Sequence, residues 1–134
     1  MQERTFDAKI ENLDQVLAFV DACLEPLDAS MKAQMQIDVA VEELFVNVAR
    51  YAYAPETGQV TIRVEPEDAA VAITLVDRGT PYDPLAKADP DVTLSAEDRQ
   101  IGGLGIYMVK KSMDGMEYRR EDGCNILTIR KKLL

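Results

Sequence analysis

The chain has 134 residues, 47% of them hydrophobic and 29% charged, which is the balance of one soluble globular domain (residues 1–134) with no room for two cores. Its formal net charge of −9 argues against nucleic acid as a partner, because nothing in it neutralises a run of phosphates. It contains no histidine, which excludes His-based nucleophilic triads, His metal sites and a phosphohistidine on this chain.

The opening MQERTFDAKIEN holds no apolar core of a signal sequence, and the longest apolar stretches fall far short of a membrane span. A cytoplasmic location without membrane contact is therefore expected. Cys23 and Cys124 lie far apart and are expected to be free thiols in a reducing compartment.

Residues 4–10 alternate well enough for a first strand, with Phe6 and Ala8 on one side. Asn12 is placed to cap a helix over about 13–25, where Leu13, Val16, Leu17, Val20 and Leu24 keep the helical period and Pro26 ends it. A short link through Ser30 leads into the stretch that organises the chain, residues 34–54. On a helical wheel Ile37, Val41, Leu44, Phe45, Val48 and Ala52 fall on one arc. Glu43, Asn47 and Arg50 fall together on another, at i, i+4 and i+7, so they stack along two turns.

The helix stops near Pro55, and Gly58 opens a strand, QVTIRVE, that turns at Glu67-Asp68 and returns through residues 69–77. The return strand is almost continuously apolar, as a central strand would be. Residues 79–101, with three prolines, several aspartates and no sustained period, predict a long irregular loop of the kind that forms lids or binding loops. Gly102, Gly103 and Gly105 then precede a helix carrying Ile106, Val109 and Met113, for which Gly115 is the expected C-cap. Residues 116–132 read as a hairpin about Asp122-Gly123. Helices grouped in sequence, with strands joined mostly by hairpins, predict a two-layer α/β (α+β) sandwich on a mixed, mostly antiparallel sheet of about five strands.

Three constellations carry chemistry. The carboxylate, amide and guanidinium of Glu43, Asn47 and Arg50 suit a metal–polyphosphate, although the same set is ordinary on a solvated helix face. The strand 69–77 ends in Asp77-Arg78-Gly79, where a carboxylate can accept from an exocyclic amine and a glycine lets a flat ligand approach; a plain Asp-x-Gly turn is the simpler alternative. Gly102-Gly103-Leu104-Gly105 at a helix start offers N–H groups and the positive end of a helix dipole to an anion. It is neither a Walker A loop, lacking Gly-Lys-Ser/Thr, nor a dinucleotide fingerprint, lacking a strand leading directly into it.

The order of these motifs, Glu-x-x-x-Asn, then Asp-x-Gly, then Gly-x-Gly with a lid before it, resembles the GHKL (Bergerat-fold, histidine-kinase-like) ATPases. Within them the stretches VEELFVNVARYAY, LVDRGTPYDP and GGLGIYMVKKSMDGMEYRREDGCNILTIRK are similar to the bacterial anti-sigma-factor serine/threonine kinases. The resemblance implies three helices on one face of the sheet and use of ATP with Mg²⁺. It implies that Asn47 coordinates Mg²⁺ bridging the phosphates and that Glu43 orients or deprotonates the attacking hydroxyl. Asp77 would accept from the adenine amino group, Gly79 would let the base lie close, and the N–H groups of Gly103, Leu104 and Gly105 would hold phosphates. Arg50 stands where related sensor kinases often have a phosphate-contacting cation, a looser match. The chain departs from the pattern at Tyr51, where the family often has His, and at Cys124-Asn125, where many members have Gly-Thr reaching toward adenine; Thr128 is accordingly placed near the pocket. The lid offers only Lys87 and Arg99 as cations.

Two classes follow from the resemblance. One is a kinase that phosphorylates a small anti-anti-sigma (STAS-type) partner and sequesters a sigma factor or similar regulator. The other is a binding module in which nucleotide is a structural ligand or switch and no phosphate is transferred. Glu43 separates them, since a pure binding module has no need of a carboxylate beside the metal-binding amide. A homodimer is also suggested by the resemblance, with no surface stripe in the sequence that identifies it.

Overall fold

The computed structural model describes residues 1–86 and 104–134, the side chain of Leu104 excepted. Five strands form a single sheet: β1 (Gln2–Asp7), β2 (Gln59–Glu67), β3 (Ala70–Asp77), β4 (Gly115–Glu121) and β5 (Cys124–Lys132). Their order across the sheet is β1-β2-β3-β5-β4, and every adjacent pair is antiparallel. The expectation of a mixed sheet is corrected here. β3 and β4 do run parallel, but the hairpin returning from β4 inserts β5 between them, so the parallel relation never becomes a pairing.

Three helices, α1 (Leu13–Leu24), α2 (Met31–Asn47) and α3 (Leu104–Ser112), contribute to one core with one face of the sheet. Val60, Ile62 and Val64 of β2 face the same way as their partners Asp77, Leu75 and Ile73 of β3. Those partners in turn face with Asn125, Leu127 and Ile129 of β5. This is the period-two alternation of a sheet covered on one side. Against it pack Val16, Val20 and Leu24 of α1, Ile37, Val41, Leu44 and Phe45 of α2, and Ile106, Val109 and Met113 near α3. At about 25 cal/mol per Å² of apolar surface, each such side chain contributes about 1.5–3 kcal/mol.

α2 begins at Ser30, whose hydroxyl accepts the Ala33 N–H at 3.0 Å. Asn12 precedes α1 without a side-chain cap; its amide instead donates to the Asp7 carbonyl at 3.0 Å. α2 does not run on regularly to Pro55. After Asn47 it widens into a π-helical turn over Val48–Ala52, a distortion that often accompanies sites. Its Ala52 carbonyl, left without an intrahelical partner, accepts the Thr80 N–H at 2.8 Å and so docks the segment that follows β3. Gly115 is not a helix cap: α3 ends at Ser112 and Gly115 opens β4. Among the described residues the positive-φ glycine is Gly123, in the β4–β5 turn beside Asp122. The β2–β3 turn falls one residue later than expected, with Ala69 at φ 57°. Cys23 and Cys124 are both free. No helix among the described residues is long and apolar enough to cross a membrane.

Candidate functional site

Two adjoining cavities lie at one end of the molecule, where α2 gives way to its π turn. The first, about 150 Å³, is lined by Val48 and Ala52 from the π turn, Asp77 at the end of β3, Thr80, Tyr82 and Asn125 of β5. The second, about 100 Å³, is lined by Glu43, Val46, Arg50, Gly105 and Ile106. Asn47 and Tyr51 line both, so the two form one cleft divided by those side chains. Val48 and Ala52, the far end of the apolar arc on α2, furnish a hydrophobic wall here, and Val48 also packs against the core.

Asp77 is buried, and its position at the C-terminal end of a central strand puts its carboxylate at the mouth of the sheet. Its Oδ1 accepts from the Gly79 N–H at 2.8 Å and from Asn125 Nδ2 at 2.9 Å. Both of its hydrogen bonds among the described residues fall on that one oxygen. Oδ2 is left as an acceptor for a ligand.

Gly79 is required by packing. The space for a Cβ there is filled by the Ala52 carbonyl and methyl, so any larger residue would push the loop off the helix end. The Gly79 carbonyl also accepts from Arg120 Nη1 at 2.8 Å, which ties this corner to β4. What the missing side chain admits in this fold is Ala52.

Glu43, Asn47 and Arg50, stacked on one stripe in the sequence, do line the same cavity. The Glu43 carboxylate lies against Gly105 in the first turn of α3, in the space a Cβ would take. The first-turn N–H groups of α3 lack intrahelical acceptors and carry the positive end of its dipole. A carboxylate, an amide oxygen, a guanidinium and a helix start thus converge. That donor set fits a hard cation held between phosphate oxygens, with the amide as its ligand and the guanidinium and helix N–H groups for the anion. Leu104 begins α3, while Gly102, Gly103, Lys87 and Arg99 lie outside the described residues.

Thr128 is not brought to the cleft. It pairs with Thr74, hydroxyl to hydroxyl at 3.0 Å, on the sheet face opposite Asp77. Strand alternation decides this, since Asn125 and Thr128 are three residues apart and must point to opposite faces. The residue of β5 that does reach the cleft is Asn125, directly across from Asp77. Its signal in the sequence was the Cys124-Asn125 departure just after the Asp122-Gly123 turn, where many family members have Gly-Thr. Tyr51, exposed and lining both cavities, was marked in the sequence as a departure from the family pattern, where His is frequent.

Larger hollows exist elsewhere. One of about 500 Å³ beside α1 gathers Asp21, Glu25 and Asp28 with no cation on its wall; another of about 380 Å³ is walled by Phe19, Pro26, Val64 and Pro66. Neither brings convergent donors and acceptors together, so neither competes with the cleft as a site.

The histidine kinase-like ATPase domain family matches this chain over residues 6–131. The chain is 26% identical over 101 residues to the serine/threonine-protein kinase BtrW of Bordetella bronchiseptica, covering 75% of this chain and 71% of that one. It is 28% identical over 130 residues to the anti-sigma F factor of Clostridium acetobutylicum, covering 97% of this chain and 91% of that one. Among solved structures, the RsbU and RsbW domains of Rv1364c from Mycobacterium tuberculosis superpose with a TM-score of 0.68 at 16% identity. That superposition covers 99% of this chain, which spans 33% of the solved one, and it speaks to the fold.

Proposed function

The chain belongs to the histidine kinase-like ATPase domain family, and we propose that it is an ATP-dependent serine/threonine protein kinase of the anti-sigma type. The observation that carries this reading is the divided cleft: a base-sized apolar cavity with a buried acceptor adjoins a polar cavity at a helix start, and Asn47 stands between them. An adenine nucleotide has that shape and polarity. The names of the two relatives, a serine/threonine kinase and an anti-sigma factor, support the same reading.

Each residue then has a task. Asp77 Oδ2 accepts from the adenine amino group while Val48 and Ala52 cover the ring. Asn47 holds Mg²⁺, which when bound neutralises phosphate charge and aligns the γ-phosphoryl group. Arg50 and the first-turn N–H groups of α3, at Leu104 and Gly105, face phosphate oxygens. Glu43 takes the proton of a partner serine as its oxygen bonds to the γ-phosphorus. The bond from that phosphorus to the bridging oxygen breaks and its electron pair leaves with ADP. Phosphoryl transfer asks for alignment and charge neutralisation above all, and this set supplies both. The protein substrate in this reading is a small anti-anti-sigma (STAS-type) partner, with a sigma factor or similar regulator as the species sequestered.

The test is a pull-down with Mg²⁺-ADP and Mg²⁺-ATP, a phosphosite search on what co-purifies, and calorimetry with ATP, ADP and GTP. Adenine nucleotides should bind, GTP should bind much more weakly, and a partner serine should gain phosphate. Equal affinity for GTP would sink the adenine pocket. Nucleotide-dependent partner affinity without any phosphate transfer would replace the kinase with a binding switch.

A further inference from the structure

We propose that Asn125 is the positioning residue that selects which oxygen of Asp77 meets the nucleotide base, and that it can do so only as a neutral amide. This deepens the adenine-nucleotide reading above and rests on it.

Asp77 and Asn125 are the buried polar residues among the described ones, each 6% exposed, and they face each other across β3 and β5. The Asn125 amide is fully used. Nδ2 donates to Asp77 Oδ1 at 2.9 Å and to the Thr80 carbonyl at 2.9 Å. Oδ1 accepts from the Tyr82 N–H at 3.3 Å and from the Tyr118 hydroxyl at 2.5 Å. A carbonyl can only accept and a backbone N–H can only donate, so Thr80 and Tyr82 fix which end of the amide is nitrogen. The end that meets Asp77 is therefore a donor.

Two consequences follow. With the Gly79 N–H already on Oδ1, the second donor pins that oxygen and turns Oδ2 to the ligand. And because the same amide holds Thr80 and Tyr82, which line the cavity with Asp77, the base cavity and its acceptor are set by one side chain. A threonine here has one hydroxyl proton and cannot serve both Asp77 and Thr80. With no capacity to spare, Asn125 acts through Asp77 and does not touch the base itself.

The test is Asn125→Asp, which keeps the shape and replaces the donor with an acceptor. Above neutral pH two carboxylates would face each other and the Thr80 carbonyl. On acidification one proton shared by the pair restores a donor. Binding of ADP with Mg²⁺ is measured for variant and wild type at pH 8 and pH 5.5. The ratio of dissociation constants, variant over wild type, should be about 10 or more at pH 8 and close to about 3 or less at pH 5.5. A role that does not depend on a donor at this position predicts a ratio that does not move with pH, and a ratio equal at the two pH values overturns the proposal. Should Asn125→Asp fail to fold at pH 8, Asn125→Thr is read at pH 8 alone. It should lose about three- to tenfold in ADP affinity, and unchanged affinity overturns the proposal as well. Wild-type protein that binds no ADP at either pH ends the nucleotide reading and this one with it, whereas wild-type binding with an unmoved ratio ends this one alone.

Discussion

The Glu43 carboxylate occupies the space that a Cβ on Gly105 would need, so the second half of α2 and the first turn of α3 meet through a side chain on one and the lack of one on the other. The pair places an acid at the N-terminus of a helix, where its charge is favoured, and keeps it on the rim of the polar cavity.

Gly105→Ala displaces Glu43 without disturbing the core. The atom in the way is the far end of a flexible, exposed side chain, and alanine is favoured over glycine inside a helix by about 0.5–1 kcal/mol. The variant should melt at or slightly above the wild-type temperature while phosphoryl transfer to the partner serine falls about tenfold or more. Wild-type transfer in a well-folded Gly105→Ala protein would show that the position of Glu43 is immaterial.

Glu43→Gln removes the proposed base and keeps the shape. ATP affinity should hold or improve slightly, since one negative charge beside a polyphosphate is lost. Transfer should fall by at least about a hundredfold, within the usual range for general-base help. Titration calorimetry and a single-turnover assay separate the two quantities, and unchanged turnover would return Glu43 to the status of a solvated helix residue.

Asn47→Ala addresses the metal. Asn47 lines both cavities and takes no part in the apolar core, so the melting curve should match wild type. ATP affinity should lose most of its Mg²⁺ dependence. If the dependence persists in the variant, the cation is held elsewhere.

Much of this was legible in the chain because it is written locally. The stripe of Glu43, Asn47 and Arg50 needs only helical periodicity, and the Asp77-x-Gly79 corner needs only a strand followed by a breaker. What was not legible depends on register and on close approach. Asn125 is known to face Asp77, and Thr128 to face away, only once β5 is threaded between β3 and β4. That Gly79 is needed for close packing is visible only once Ala52 is found against it. The π turn after Asn47 occurs together with the Ala52–Thr80 hydrogen bond, a tertiary contact that helical propensity does not encode.

Asp77→Asn should exchange the base preference. The Gly79 N–H and Asn125 Nδ2 both demand an acceptor, so the new amide must turn its oxygen to them and its NH₂ to the cavity. An NH₂ group there repels the adenine amine and suits the guanine carbonyl. ATP affinity should drop by at least about a hundredfold and GTP should overtake it, the pattern expected when a buried polar group loses its match. Equal losses for both nucleotides would mean that Asp77 is a structural residue of the β3 corner.

The last prediction concerns stability and lies away from the cleft, where Asp38 of α2 meets Asp21 of α1. Burial, then a hydrogen bond with Asp21, then the like charge of Asp21 push the Asp38 carboxyl from its ordinary 3.8 up to about 7. Asp21 Oδ1 and Asp38 Oδ1 are buried without partners among the described residues. The folded protein therefore keeps a proton on this pair at pH values where the unfolded chain has released it. By linkage, the stability from that proton is complete below the unfolded value near 4, falls as pH rises, and is gone above about 7. Asp38→Asn supplies a neutral donor to Asp21 at every pH. Its melting temperature should stand close to wild type at pH 5 and exceed it by about 2–5 °C at pH 8, a shift of the size single interactions give in a domain this small. The difference between the two melting curves isolates this pair from the other carboxylates, including Glu25 and Asp28, which share a hollow with Asp21. Parallel melting curves from pH 5 to pH 8 would mean that Asp21 and Asp38 do not share a proton in the folded protein.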